Sequence, residues 1–147
     1  MLLSMGSIIA FADSEVVSTD SSVEYFDDGS YVVVTLDVDE SVSAARATKT
    51  KSGGKSYKYY SAKDKLLWIV TVHGTFTYTG SKATCTKATT SSEVYDNDWK
   101  VTSATASKSG NKAIGNFTVK RYLLGIPTAT KEVKDLTLIC SASGVLS

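Results

Sequence analysis

The chain has 147 residues, enough for one domain with a real core, since two domains would each be too small to bury much. Hydrophobic residues make up 42% and charged ones 21%, which excludes a wholly disordered chain, and a formal net charge of +1 argues against a dedicated nucleic-acid binder. With 21 Ser, 18 Thr and a single Pro, the composition favours strands.

Met1 to Ala12 carries no charge and ends Ala10-Phe11-Ala12, a small-x-small pattern that a signal peptidase accepts. It is short and lacks a basic start, so an apolar N-terminal strand is the competing explanation. On the export reading, residues 1–12 are a signal-peptide remnant, 13–28 a flexible acidic leader and 29–147 a single domain. That places the protein outside the cell. No stretch approaches the roughly 18 apolar residues of a membrane span, so no membrane anchor is expected. Charge is segregated. Asp13 to Glu40 holds nine acidic and no basic side chains, whereas all sixteen basic residues fall from Arg46 onward with six acids. An acidic leader that solubilises a basic body accounts for this; a basic face for anionic polymers is the alternative.

Asp28-Gly29-Ser30 signals a turn, and Tyr31 to Val38 is rich in β-branched residues, as a strand requires. Glu40 to Gly54 reads as a loop and Lys55 to Tyr60 as a strand. Leu66 to Thr79 alternates Trp68, Val70, Val72, Gly74, Phe76 and Tyr78 with Leu67, Ile69, Thr71, His73, Thr75 and Thr77. That is the period of a strand with one buried face, and its length predicts a bend or a change of sheet at Gly74. Gly80-Ser81 turns the chain into Lys82 to Thr89, and Ser92 to Tyr95 is a further short run. Trp99 to Lys108 and Lys112 to Leu123 form a hairpin about Ser109-Gly110-Asn111. Gly125-Ile126-Pro127 precedes a last strand, Thr128 to Ala142. Nowhere is there sustained helical periodicity. Seven to eight strands predict an all-β, antiparallel two-sheet β-sandwich, Ig-like in architecture with its topology left open.

Cys85 and Cys140 fall on inward-facing positions of two strands, as a sheet-bridging disulfide needs; two buried thiols would satisfy the same pattern. Spanning 55 residues, such a bridge would stabilise by roughly 4 kcal/mol.

The segments DDGSYVV (27–33), LLWIVTVHGTFTYTGSKATCT (66–86), DWKVTSATASKSGNKA (98–113), FTVKRYLLGIP (117–127) and TLICSASGVLS (137–147) resemble a group of small secreted proteins of Firmicutes, of the kind found in gut Clostridia. Trp68, Gly74, Cys85 and Trp99 are among its marks. The resemblance implies export and a compact β domain. It implies no activity.

Chemical motifs are sparse. His73 is the only histidine, and no G-x-S-x-G elbow accompanies it. Asp96-Asn97-Asp98 has calcium-like spacing without the remainder of an EF-hand loop, and a capped turn uses the same residues. Gly53-Gly54-Lys55-Ser56 lacks the first glycine of a P-loop. No catalytic residue, metal site or cofactor is expected. What remains is aromatic: Tyr57, Tyr59 and Tyr60 among lysines, and Trp99 after a polar turn, all suited to stacking on sugar rings or anchoring a partner. Tyr57 and Tyr59 share a parity that would also fill a core. The expected function is a secreted, non-catalytic binding protein for a glycan, a cell-envelope polymer or a protein surface, without nucleic acid. The alternative is a secreted hydrolase of a surface polymer, drawing on carboxylates such as Glu93, Asp96 and Asp98.

Overall fold

A computed structural model describes residues 3–5, 21–39 and 48–147. Among them are nine strands: β1 (Leu3–Met5), β2 (Ser21–Tyr25), β3 (Tyr31–Asp39), β4 (Lys49–Tyr60), β5 (Leu66–Tyr78), β6 (Ala83–Val94), β7 (Trp99–Ser109), β8 (Lys112–Leu123) and β9 (Ile126–Ile139). They form two antiparallel sheets, β1 to β6 and β7 to β9, in each of which every strand pairs with its neighbour in sequence. Among the described residues the fold is therefore all-β and sandwich-like, as the periodicity predicts. Its connections form a meander with no Greek-key crossover.

The long alternation becomes β5, the third of the four strands that build the body of the larger sheet. Trp68, Val70, Val72 and Phe76 are fully buried on one side of it. Against them lie Ala113, Phe117 and Val119 of β8 and Leu138 of β9, also buried. The two sheets approach closely because both central strands carry glycine at the contact. A Cβ on Gly74 would stand 2.7 Å from the Phe76 ring and 2.9 Å from the Ala113 Cβ, and one on Gly115 would stand 3.0 Å from the Val72 Cβ. β5 pairs with β4 in unbroken register through Gly74, and the irregularity near it lies on the neighbouring strand, where Thr86 of β6 is the extra residue opposite Thr75 and Phe76.

At one end of the core the aromatics gather. Trp68 stacks on Tyr59 at 5.1 Å and on Tyr57 at 5.9 Å, and Trp99 meets Trp68 at a tilt, 6.1 Å between centroids. Trp68 is wholly enclosed, and its indole N–H has no hydrogen-bond partner. It serves as packing volume.

Several boundaries differ from the expected ones. Ser21–Tyr25, expected within a flexible leader, is strand β2 and pairs with Tyr31–Thr35. Leu3–Met5 of the apolar leader pairs with Ser21–Val23 as β1. The rest of the leader, residues 6–20, and the first part of the expected loop, 40–47, lie outside the described residues. Lys49–Gly54 continues β4 where a loop is expected. Gly53 belongs in that strand for a steric reason: any Cβ there would lie 2.5 Å from the Asp37 carbonyl oxygen. The two short runs after Gly80 are one strand, β6.

Because the β5–β8 contact has no room for a methyl group, Gly74→Ala should destabilise by about 1–3 kcal/mol through overpacking. Trp68→Ala should cost about 3–5 kcal/mol. Urea unfolding measures both; a loss below about 1 kcal/mol for Trp68→Ala would show that β5 does not bury this face.

Candidate functional site

Strand side chains alternate between faces, so burial of Trp68, Val70 and Val72 turns Ile69, Thr71 and His73 outward. Antiparallel pairing carries that choice to the neighbouring strands, and the outer face of the larger sheet becomes a grid of rows. One row runs Ser21, Thr35, Ser56, Thr71, Ser91, a hydroxyl side chain on each of β2 to β6. The next row on one side carries Asp37, Gly54, His73 and Thr89; the next on the other carries Val23, Val33, Lys58, Ile69 and Glu93. Beyond that, Tyr25 faces Tyr31 and Tyr31 faces Tyr60.

These rows enclose a groove of about 310 Å³ lined by Asp37, Ser56, Lys58, Thr71, His73 and Glu93 among others. Its floor is sunk between the flanking rows: Ser56 and Thr71 are buried, and their hydroxyls share a hydrogen bond of 2.8 Å. The Thr35 hydroxyl is closed off beside them and has no partner. Gly54 leaves the middle of the trough without a side chain, next to the His73 ring. His73 is exposed, and its Nε2 lies 2.7 Å from Ser91 Oγ. Among the described residues no carboxylate bonds to this histidine, so the pair lacks the orienting acid of a Ser-His-Asp triad.

At the end of the grid Tyr31 and Tyr60 stack with centroids 4.9 Å apart and rings 5° from parallel, and Tyr25 leans on Tyr31 at 5.2 Å. The Tyr31 hydroxyl donates to Asp64 at 3.0 Å. Desolvation first, then that bond, pushes its pKa up to about 12, so the phenol keeps its proton. Tyr25 is 53% exposed and forms the open edge of the stack.

Of the four aromatic residues singled out in the sequence, only Tyr60 lies on this face. Tyr59 and Trp99 are buried in the core, and Tyr57 points the same way, half-buried on Trp68. The shared parity of Tyr57 and Tyr59 thus marks packing, and the four do not form one surface patch. Sequence reasoning passed over Tyr25 and Tyr31, which meet Tyr60 only through the cross-strand register of β2, β3 and β4.

A second concavity, about 270 Å³, opens at the strand ends between the turns after β2, β4 and β6. Tyr59 and Trp99 line it together with Asp28, Lys65, Asp96 and Arg121. Asp96 takes the Lys65 ammonium at 2.8 Å and the Asp98 N–H at 2.9 Å, and Arg121 pairs with Asp98 at 3.8 Å. The Asp96-Asn97-Asp98 segment therefore works as a capped, ion-paired turn. Among the described residues no group of three or more His, Cys, Asp or Glu could hold a metal.

The expected disulfide is absent: Cys85 and Cys140 are free and buried. The tip of the β7–β8 hairpin docks on both, the Cys85 N–H donating to the Gly110 carbonyl at 2.7 Å and the Cys140 N–H to that of Asn111 at 3.0 Å. Each thiol turns to a carbonyl of its own segment, Cys85 Sγ to Lys87 and Cys140 Sγ to Ser141. Burial raises both thiol pKa values, which keeps them protonated and poorly nucleophilic.

Two measurements check these assignments. Intact mass after alkylation of unfolded, unreduced protein should show both thiols modified; an unmodified mass two hydrogens short would restore the bridge. The Asp96 carboxyl is held below its ordinary 3.8, chiefly by the Lys65 hydrogen bond. Its stabilising contribution is therefore complete above 3.8 and is lost as pH falls through the lower folded value. Asp96→Asn should flatten the fall of Tm over that acid window, and an unchanged acid limb would rule the pair out as its source. Comparison with protein-family models, with curated proteins and with solved structures finds no match for this chain.

Proposed function

We propose that the protein is a non-catalytic glycan-binding module acting outside the cell, and that the outer face of the larger sheet is its binding surface. The observation that carries this reading is a tyrosine stack, Tyr25, Tyr31 and Tyr60, standing on the same sheet face one row beyond a groove floored by hydroxyls. A sugar ring offers an apolar face for stacking and a rim of hydroxyls for hydrogen bonding. The tyrosines supply the first partner. Ser56, Thr71, Ser91, Asp37 and Glu93 supply the second.

Charge supports a glycan over a polyanion. The groove places Lys58 and His73 against Asp37 and Glu93, so it has no single sign with which to draw phosphates. The exposed His73–Ser91 pair, without an orienting acid, supports binding over hydrolysis. The resemblance to small secreted proteins supports the extracellular setting.

The test is depletion of the protein from solution by insoluble peptidoglycan, mucin and plant polysaccharides, with released sugar followed in parallel. Depletion without release is expected for at least one polymer. Tyr60→Ala should weaken that binding by about 1–2 kcal/mol, five- to thirtyfold in Kd, without lowering Tm by more than a few degrees. Tyr57→Phe, altered on the opposite face, should leave it unchanged. Release of sugar would replace this reading with a hydrolase, and depletion by none of the polymers would end it.

A further inference from the structure

The β8–β9 turn is built against the preferences of its own backbone. Leu123 pairs with Ile126, leaving the two-residue turn Leu124-Gly125 with φ of 52° and 76°. A turn with both central residues at positive φ selects Asn or Gly at its first position, and the β7–β8 turn, where the first central residue alone has positive φ, places Gly110 there. Here a branched apolar side chain holds that position. Leu124 is also fully exposed, and its neighbours Leu123 and Ile126 are 44% and 65% exposed. Nothing in the fold is gained from this: the leucine strains the turn and meets no core.

Three to four residues behind the apex β8 carries Arg121 and Lys120, and the adjoining strand β7 adds Lys100 beside them. Lys100 and Lys120 stand directly opposite each other on β7 and β8, a like-charge pairing that works against the sheet. Neither is ion-paired to any described residue. Asp98, whose carbonyl takes the Tyr122 N–H at 2.7 Å, is already matched by Arg121. The hairpin thus ends in an apolar apex, behind which Lys120 and Lys100 of the adjoining β7 form an unneutralised cationic collar.

We propose that this turn is a membrane-inserting prong for an anionic lipid surface, Leu123, Leu124 and Ile126 entering the boundary between headgroups and acyl chains while Lys100 and Lys120 meet lipid phosphates. A convex tip of four residues buries little area against a rigid partner, far below the roughly 1,000 Å² of a stable protein interface. A fluid boundary needs no matching pocket. The spacing fits as well: four strand residues from Leu124 back to Lys120 span about 13 Å. An apex sunk roughly 5–10 Å therefore leaves the collar at the headgroups. The contact is peripheral and uses a different part of the molecule from the glycan face.

The experiment is co-sedimentation of the protein with phosphatidylcholine vesicles containing or lacking phosphatidylglycerol. Binding is expected to the mixed vesicles and to weaken at raised salt. Leu124→Asp should reduce partitioning at least tenfold, and Lys100→Gln and Lys120→Gln about fivefold each. Leu124 contacts no core, so its variants should fold; as a second readout, Leu124→Trp should shift its emission to the blue on mixed vesicles. Three results would overturn the proposal: wild-type protein remaining in the supernatant, Leu124→Asp partitioning like wild type, or a dimer in solution that Leu124→Asp dissolves, which would make a second copy the occupant.

Discussion

The period of two along β5, locked by the close approach of β5 and β8, decides almost everything else in this molecule. Gly74 and Gly115 let Val72, Phe76, Ala113 and Phe117 interlock, and that contact fixes which side of β5 is inside. Once Trp68, Val70 and Val72 are buried, Ile69, Thr71 and His73 have to face out. Cross-strand register then carries the choice over β2, β3, β4 and β6. A slip of one residue in the pairing of β3 or β5 would send Thr35 or Thr71 into the core and an apolar neighbour to the surface. The outer row of Ser21, Thr35, Ser56, Thr71 and Ser91 is thus a consequence of core packing as much as a feature of its own.

The same logic explains what the sequence discloses and what it conceals. Alternation over Leu66 to Tyr78 is strong enough to name the strand and its buried side from residues alone, and turns at Gly80 and Gly110 are equally plain. Parity within one strand is local information. It separates Tyr60 from Tyr57 and Tyr59, but does not say which of the two sets lies inside; that depends on how β4 registers with β5. Tyr25, Tyr31 and Tyr60 come from three strands and meet only through pairings that no single segment encodes. The extension of β4 through Gly53-Gly54 is hidden for another reason. A double glycine ordinarily marks a loop, whereas here it answers the close passage of Asp37 and the need for an empty trough beside His73.

The cysteines illustrate a limit of face-based reasoning. Both occupy inward positions, yet an inward position does not imply that two thiols point at each other. The β7–β8 tip takes a main-chain hydrogen bond from each residue and gives each strand its own anchor, so the structure closes this region with backbone pairing in place of a covalent link. Leu146 closes the same edge from the C-terminal side, in an isolated bridge with Cys140.

The two proposed surfaces are compatible because a sandwich separates its faces from its ends. The glycan face looks along the normal of the larger sheet, whereas the β8–β9 apex projects along the strand axis of the smaller one. A chain resting on a lipid surface through Leu124 would therefore keep Tyr25, Tyr31 and the groove open to the side. The strain in the apex and the like charges of Lys100 and Lys120 work against stability, and the fold tolerates them because neither touches the β5–β8 contact. Burden placed at a hairpin tip is cheap where the core is closed by other residues. The meander supplies such tips at both ends, and among the described residues only this one carries leucine where the turn asks for asparagine.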